Sequence, residues 1–94
     1  MQAAVVLALF LIGSQASLAW ALDPEQWFQE GNRFSTEGKL EEAVQAYQKS
    51  ISGNPLSPVA HYNLGVAYKK LQQLDKAAKS FEQCIELEPV NMEA

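Results

Sequence analysis

Two adjacent stretches of the chain, residues 24–57 and 58–91, carry the same residue pattern in a constant register. Placing the second stretch under the first aligns prolines with prolines, glycines with glycines, and small or aromatic residues with their own kind. The aligned pairs include Pro24 and Pro58, Gly31 and Gly65, Ala43 and Ala77, Tyr47 and Phe81, and Pro55 and Pro89. Internal repetition with a fixed period of this length is typical of stacked repeat architectures. The chain is therefore predicted to contain two similar units.

Each unit is predicted to be a pair of helices joined by a short turn. Asp23 and Ser57 each precede a proline, and an N-cap residue followed by proline is typical of a helix start. Gly38 and the Gln72-Gln73 pair then separate the two helices of each unit. The predicted helices cover about residues 24–36, 40–52, 58–71 and 74–87.

The glycines at positions 31 and 65 fall inside predicted helices, where glycine costs roughly 1 kcal/mol relative to alanine. A glycine at such a place usually marks the close approach of another backbone. We expect the second helix of each unit to make that approach, with Ala43 and Ala77 as the small residues facing Gly31 and Gly65.

This unit resembles the tetratricopeptide repeat (TPR), a helix-turn-helix motif of about 34 residues. The matching residues in repeat one are Trp27, Gly31, Phe34, Ala43, Tyr47 and Pro55, and in repeat two Leu64, Gly65, Tyr68, Ala77, Phe81 and Pro89. Glu30, Ser50 and His61 depart from the pattern, and no partner for His61 is evident. The resemblance covers about three quarters of the chain. It implies an all-α fold of two TPR-type repeats, residues 24–57 and 58–91, with residues 92–94 as a tail or the start of a third repeat.

The N-terminal segment, residues 1–22, contains no Asp, Glu, Lys or Arg, and residues 3–12 form an unbroken apolar run. Ala19-Trp20-Ala21 follows with the small-x-small pattern of a signal-peptide cleavage site. Residues 1–21 are therefore predicted to be a signal peptide, and the protein to be exported, either periplasmic or secreted. The alternative is a membrane anchor over residues 3–22, and only then is membrane contact expected. Signal peptides usually carry a Lys or Arg before the apolar run, but none is present here. A start site further upstream would supply one.

Charge and composition exclude several classes of function. The net charge is −4 with a pI of about 4.8, and no Lys/Arg block is present, so no nucleic-acid partner is expected. One cysteine and one histidine are too few for an internal disulfide or a zinc finger. No catalytic motif is recognisable. We therefore expect neither enzymatic activity nor a metal or cofactor.

The resemblance implies a concave groove, lined by the first helix of each repeat, that holds a protein or peptide partner. Carried over by position, the binding residues are Phe28, Asn32, Ser35, Tyr62, Asn63, Val66, Lys69 and Lys70, with Thr36 and Val59 beside them. Asparagine side chains both donate and accept, and so can pair with a peptide backbone. Some TPR proteins grip a chaperone C-terminal carboxylate with two asparagines and several basic residues. Asn32 and Asn63 occupy the two asparagine positions, but Phe28 stands at a basic one, so this clamp is not expected.

Two alternatives to groove binding follow from the lack of a capping helix after the second repeat. An apolar edge is predicted around Leu64, Tyr68, Cys84 and Ile85, through which the chain would meet a partner, self-associate or dock on a membrane. Alternatively, the sequence is a fragment of a longer TPR protein. Lys69 and Lys70 also have a structural explanation, because cations are favoured at the C-terminus of a helix.

Overall fold

The computed structural model describes residues 22–88, which contain four α-helices. They are α1 (Pro24–Thr36), α2 (Leu40–Gly53), α3 (Pro58–Lys70) and α4 (Leu74–Leu87). Helix α1 packs on α2, α3 packs on α4, and α2 packs on α3, so the two helical pairs stack side by side. The prediction of an all-α fold with two TPR-type repeats is confirmed. The predicted signal peptide or anchor and the tail at residues 92–94 lie outside the described residues.

The first helix of each repeat starts at the predicted cap. The Asp23 carboxylate accepts a hydrogen bond from the Gln26 backbone N–H at 2.8 Å, and the Gln26 side chain accepts one from the Asp23 N–H at 3.0 Å. This reciprocal capping box satisfies two backbone donors that the helix itself leaves unpaired. In repeat two, the Ser57 hydroxyl accepts from the Ala60 N–H at 3.3 Å. A cap of this kind contributes about 1 kcal/mol to helix stability.

The turns inside the two repeats have the same geometry. Gly38 has a φ of +79°, and Gln72, at the equivalent position of repeat two, has a φ of 66°. The next residue closes each turn, with Lys39 N–H donating to Phe34 C=O at 2.8 Å and Gln73 N–H donating to Tyr68 C=O at 2.9 Å. The left-handed conformation suits glycine but strains a residue with a side chain. The second turn therefore stores strain at Gln72 that the first turn avoids.

One apolar core extends across both repeats. Its buried members are Ala43, Val44, Tyr47, Leu64, Ala67, Tyr68 and Ala77, and Phe28, Phe34, Ile51, Leu71 and Phe81 pack against them. The buried residues come from α2, α3 and α4, so the junction between the repeats belongs to the core. Each repeat consequently buries apolar surface that neither would bury alone.

Gly31 and Gly65, the glycines within the first helices of the two repeats, each make room for an aromatic ring. A Cβ atom at Gly31 would lie 2.5 Å from the Tyr47 ring, and one at Gly65 would lie 2.7 Å from the Phe81 ring. The expectation that each glycine faces a neighbouring backbone at Ala43 or Ala77 is therefore corrected. Those alanines are buried, but the contact at each glycine is the ring one helical turn further along the second helix.

The apolar edge at the free end of the repeat pair contains fewer of the predicted residues than expected. Leu64 and Tyr68 are only 7% and 8% exposed and belong to the core that α3 shares with α2 and α4. Gln48 Nε2 of α2 donates to the Tyr68 hydroxyl at 2.8 Å. Cys84 is half-buried, whereas Ile85 is 51% exposed as predicted. The prediction was wrong for Leu64 and Tyr68 because it assigned the α3 face that turns back toward repeat one to the free end. Among residues 22–88, no helix has the length and apolar character that crossing a membrane requires.

Replacing Gln72 with glycine is expected to raise the free energy of unfolding by about 0.5–1 kcal/mol, since relief of left-handed strain outweighs the extra chain entropy of glycine. The reverse change in the first turn, Gly38→Ala, is expected to lower it by about 1 kcal/mol. Urea denaturation measures both. Gln73→Gly is the control, because Gln73 has a φ of −92° and gains no relief. A Gln72→Gly variant no more stable than Gln73→Gly contradicts the strain assignment.

The two glycine-to-alanine changes are expected to differ in cost. Gly31→Ala forces the 2% exposed Tyr47 ring to move, so overpacking of roughly 1–3 kcal/mol exceeds the gain in helix propensity of about 1 kcal/mol. Gly65→Ala displaces Phe81, which is only partly buried, and its net cost is expected to be close to zero. Denaturation curves compare them, with Ala78→Gly at an exposed α4 position calibrating propensity alone. Equal costs at the two glycines would refute the difference in packing.

Candidate protein-binding groove

A cleft of about 220 Å³ opens between the first helices of the two repeats. Its lining consists of Asn32, Ser35 and Thr36 from α1, Tyr47 from α2, and Asn63 and Val66 from α3. None of these six lining residues carries a formal charge at neutral pH. The described part of the cleft therefore offers hydrogen bonds and apolar contact. We call this cleft and its rim the groove.

A hydrogen-bonded triad forms the floor of the groove. Asn32 Oδ1 accepts from the Tyr47 hydroxyl at 2.6 Å and from Asn63 Nδ2 at 3.0 Å. Three helices therefore converge on a single amide oxygen, and both carboxamides are held in a defined orientation. Partly buried networks of this kind are rigid when their members are satisfied.

The Tyr47 hydroxyl remains protonated and therefore remains a donor. Burial raises the pKa of Tyr47 above its usual value, and the neighbouring Asn63 and Ser35 side chains act more weakly in the opposite direction. Asn32 consequently keeps its Tyr47 donor throughout the physiological pH range.

The triad leaves the two asparagines with complementary hydrogen-bonding capacity. Its bonds use the Asn32 oxygen and the Asn63 nitrogen. The Asn32 Nδ2 group and the Asn63 Oδ1 atom take no part in them, so one donor and one acceptor remain at the junction of the repeats. A peptide bond presents the matching acceptor and donor. The groove can thus pair with a main chain irrespective of its side chains.

Aromatic residues lie one helical turn before Asn32 and Val66. The Phe28 and Tyr47 ring centroids are 5.8 Å apart, and those of Tyr62 and Phe81 are 5.6 Å apart. Phe28 is half-buried, whereas Tyr62 is 52% exposed. Both tilted pairs have geometries at which aromatic rings attract each other.

The structure brings four of the eight predicted residues together in the groove lining: Asn32, Ser35, Asn63 and Val66. Phe28 and Tyr62 pack on aromatic residues of the second helices instead, and Lys69 and Lys70 are exposed in the last turn of α3. The residue pattern does not predict that Tyr47 lines the groove, because its repeat position indicates a core aromatic residue and gives no sign of its hydroxyl bond.

The structure places His61 and Cys84 on different helices, in different surroundings. His61 is buried, and its Nε2 atom lies 2.9 Å from the Pro55 carbonyl oxygen in the connection between the repeats. The expectation that His61 has no partner was therefore wrong. Cys84 is a free, half-buried thiol on α4. Within residues 22–88, no cluster of His, Cys, Asp and Glu is arranged to hold a metal ion.

Family comparisons agree with the geometry. The family model described as "TPR repeat" matches residues 31–72, and the one described as "Tetratricopeptide repeat" matches residues 58–91. Together they span about two thirds of the chain. The chain belongs to the tetratricopeptide repeat family and is a TPR protein–protein interaction module.

Similar proteins contain the module as a small part of a longer chain. Hsp70-Hsp90 organizing protein 2 of Arabidopsis thaliana is 39% identical over 61 residues, which are 65% of this chain and 11% of that protein. Hsp70-Hsp90 organizing protein 3 of the same plant is 40% identical over 65 residues, or 69% of this chain and 12% of the relative. This chain thus spans only a small fraction of the length of these relatives. The crystal structure of MamA superposes with a TM-score of 0.69 at 27% identity, covering 76% of this chain and 42% of MamA.

Proposed function

We propose that the chain is an exported adaptor that holds an extended segment of a partner protein in the groove between α1 and α3. The Asn32–Asn63 hydrogen bond carries this proposal. Because this bond uses the Asn32 oxygen and the Asn63 nitrogen, it leaves the Asn32 amide donor and the Asn63 amide acceptor for other bonds at the junction of the repeats. A segment in extended conformation has its backbone groups available for such pairing, whereas a helix has already used them.

The surroundings of the asparagines support a bound segment that is internal to its chain. A terminal carboxylate needs a cation, and the described lining of the groove contains none. Phe28 and Tyr62 lie one helical turn before Asn32 and Val66, and the exposed parts of their rings offer apolar surface beside the cleft. Lys69 and Lys70 lie at the C-terminal end of α3, where they attract an acidic residue of the partner.

The two plant relatives are named for organizing Hsp70 and Hsp90. We propose that this chain shares the general role of bringing proteins together, in complex assembly, without sharing those partners. Position 28 is Phe and not a basic residue, which supports a partner other than Hsp70 or Hsp90. We propose no catalytic role, since the TPR family is a scaffold family and is typically non-enzymatic.

An alternative function uses the free end of the repeat pair for oligomerisation or membrane docking, or for contact with further repeats of a longer chain. The exposure of Leu74 (62%) and Ile85 (51%) on α4 favours a contact at this end. The groove and this end are formed mainly by different residues, so mutation can separate the two functions.

The groove is tested with peptides selected against the full chain from a phage-displayed library of short random sequences. We expect Tyr62→Ala combined with Asn63→Ala to weaken the selected peptides about tenfold or more, because one rim contact and one backbone hydrogen bond are lost. Titration calorimetry measures affinity, and circular dichroism checks that helicity is retained. Lys79→Ala, at an exposed position on α4, is the control. Unchanged affinity in the double variant means that the peptides do not bind in the groove.

Export is a separate proposal, supported by the apolar run at residues 3–12 and by Ala19-Trp20-Ala21. Expression of the full chain in a bacterium is expected to yield a periplasmic protein whose intact mass lacks residues 1–21. Replacing Ala19 and Ala21 with arginine is expected to block processing, because the peptidase accepts small residues at these positions. Recovery of the unprocessed wild-type chain in the membrane fraction would instead support an anchor over residues 3–22.

A further inference from the structure

The two ends of the repeat pair have opposite character. Leu64, Ala67 and Leu71 of repeat two belong to the core or pack against it. Their counterparts at the equivalent positions of repeat one are Glu30, Arg33 and Glu37. Arg33 pairs with Glu30 at 2.8 Å and with Glu37 at 2.9 Å. Positions that are apolar and covered in repeat two are thus occupied by ion pairs in repeat one.

Cations of the chain itself also cover the aromatic rings at this first end. The Arg33 guanidinium lies 4.6 Å from the centroid of the Phe34 ring, and Lys49 Nζ lies 4.4 Å from that of Trp27. Pairing with Arg33 lowers the pKa of Glu30 and raises that of Arg33, as expected for an ion pair. The first end is therefore a polar surface that faces solvent. We call it the closed end and define it by Trp27, Glu30, Arg33, Phe34, Glu37 and Lys49.

The opposite end retains the surface that repeat one uses to bind α3. We call it the α4 face and define it by Tyr62, Val66, Leu74, Ala78, Glu82 and Ile85. Their counterparts in repeat one are Phe28, Asn32, Leu40, Val44, Gln48 and Ile51. Val44 is buried whereas Ala78 is exposed, and Ile51 is half-buried whereas Ile85 is exposed. The α4 face continues the interface between the repeats but has no helix on it among the described residues.

We infer that the α4 face is a docking site for one amphipathic helix of a partner protein, held in the way that α3 is held on repeat one. Continuity with the α2–α3 interface supports this occupant, because the helix lengths and the turn conformation of repeat one recur in repeat two. A second copy of the chain is a poorer match. A head-to-tail copy would present its closed end, and would place Glu30, Arg33 and Glu37 against Ala78 and Ile85.

Differences between the two surfaces specify the chemistry of the partner helix. Gln48 donates to the Tyr68 hydroxyl of α3, but its counterpart Glu82 is a carboxylate, which can only accept. The partner helix therefore carries a donor, such as Tyr, Lys or Arg, at the position equivalent to Tyr68. Asn32 binds Asn63, but its counterpart is Val66. An apolar residue consequently replaces Asn63 in the partner helix.

The probe is a labelled synthetic peptide with the α3 sequence, residues 57–71, in which Asn63 is replaced by leucine. We expect it to bind the full chain in fluorescence anisotropy more tightly than the unmodified α3 peptide, whose asparagine would lie unpaired against Val66. A second peptide with Tyr68→Phe is expected to bind several-fold more weakly, because Glu82 then loses its donor.

Variants of the protein place the peptide on the α4 face. Ile85→Asp is expected to weaken binding at least about tenfold, since it introduces a carboxylate into an apolar contact. Both Ile85 and Ala78 are exposed, so Ala78→Asp provides a second variant that leaves the core intact. Gln45 is exposed and lies beside Trp27, Phe34 and Lys49, so Gln45→Asp introduces the same charge at the closed end and is expected to change nothing. Neither α4 variant is expected to affect peptides bound in the groove, which separates this test from that of the groove.

Three outcomes overturn the inference. The first is that the leucine-containing peptide does not bind, and the second is that Gln45→Asp weakens it as much as Ile85→Asp does. The third is a dimer in light scattering that Ile85→Asp converts into a monomer, since a second copy would then occupy the α4 face.

Discussion

The Tyr47 side chain links the packing of repeat one to its binding groove. Its ring occupies the space that any side chain at Gly31 would need, and its hydroxyl donates to Asn32. A buried hydroxyl without a partner would cost roughly 1–3 kcal/mol, and the bond to Asn32 avoids this cost for the partly buried Tyr47 hydroxyl. Asn32 supplies the acceptor and holds Asn63 as well. Core packing and the orientation of the groove therefore depend on one residue.

Repeat two solves the same packing problem without polar groups. Phe81 fills the space beside Gly65 and has no hydroxyl to satisfy, and the counterpart of Asn32 is Val66. The pair Tyr47 and Asn32 is polar, whereas the pair Phe81 and Val66 is apolar. This joint change is physically consistent, because either polar residue alone would leave a hydrogen-bonding group unpaired at a packed position. The hydrogen-bonding part of the groove is thus confined to the junction of the repeats.

The residue pattern predicts the helices and turns well because they depend on local interactions. Asp23 and Ser57 cap the helices as expected, and the equivalent positions Gly38 and Gln72 adopt the same left-handed conformation despite their different side chains. The pattern does not reveal which of two apolar faces of α3 meets the neighbouring repeat, and for that reason Leu64 and Tyr68 were assigned to the wrong surface. Those assignments depend on how the helical pairs stack, and the period of the repeat carries no information about that rotation.

Glu30 illustrates the same limit. As a departure from the repeat pattern, it suggests weaker packing of repeat one, but in the structure it pairs with Arg33 on a surface that faces solvent. Exposed ion pairs add little stability, and their main effect here is to make the surface unsuitable for apolar stacking. Repeat arrays need such polar surfaces at their ends. The residue is better explained as a terminus of the array than as a defect in its core.

The groove and the α4 face lie next to each other, and this proximity affects how tightly a small module can bind a partner. Tyr62 and Val66 belong to the α4 face. Val66 also lines the groove, and Tyr62 lies one helical turn before it on α3. Each surface is small, so each contact alone is expected to be weak. A partner in which an extended segment is followed closely by an amphipathic helix would engage both surfaces. The second contact would then form at an effective concentration in the millimolar range for a short linker, and the combined affinity would exceed that of either contact. Two modest surfaces on a short array are therefore compatible with selective binding, because selectivity would come from their fixed spacing on α3 and α4.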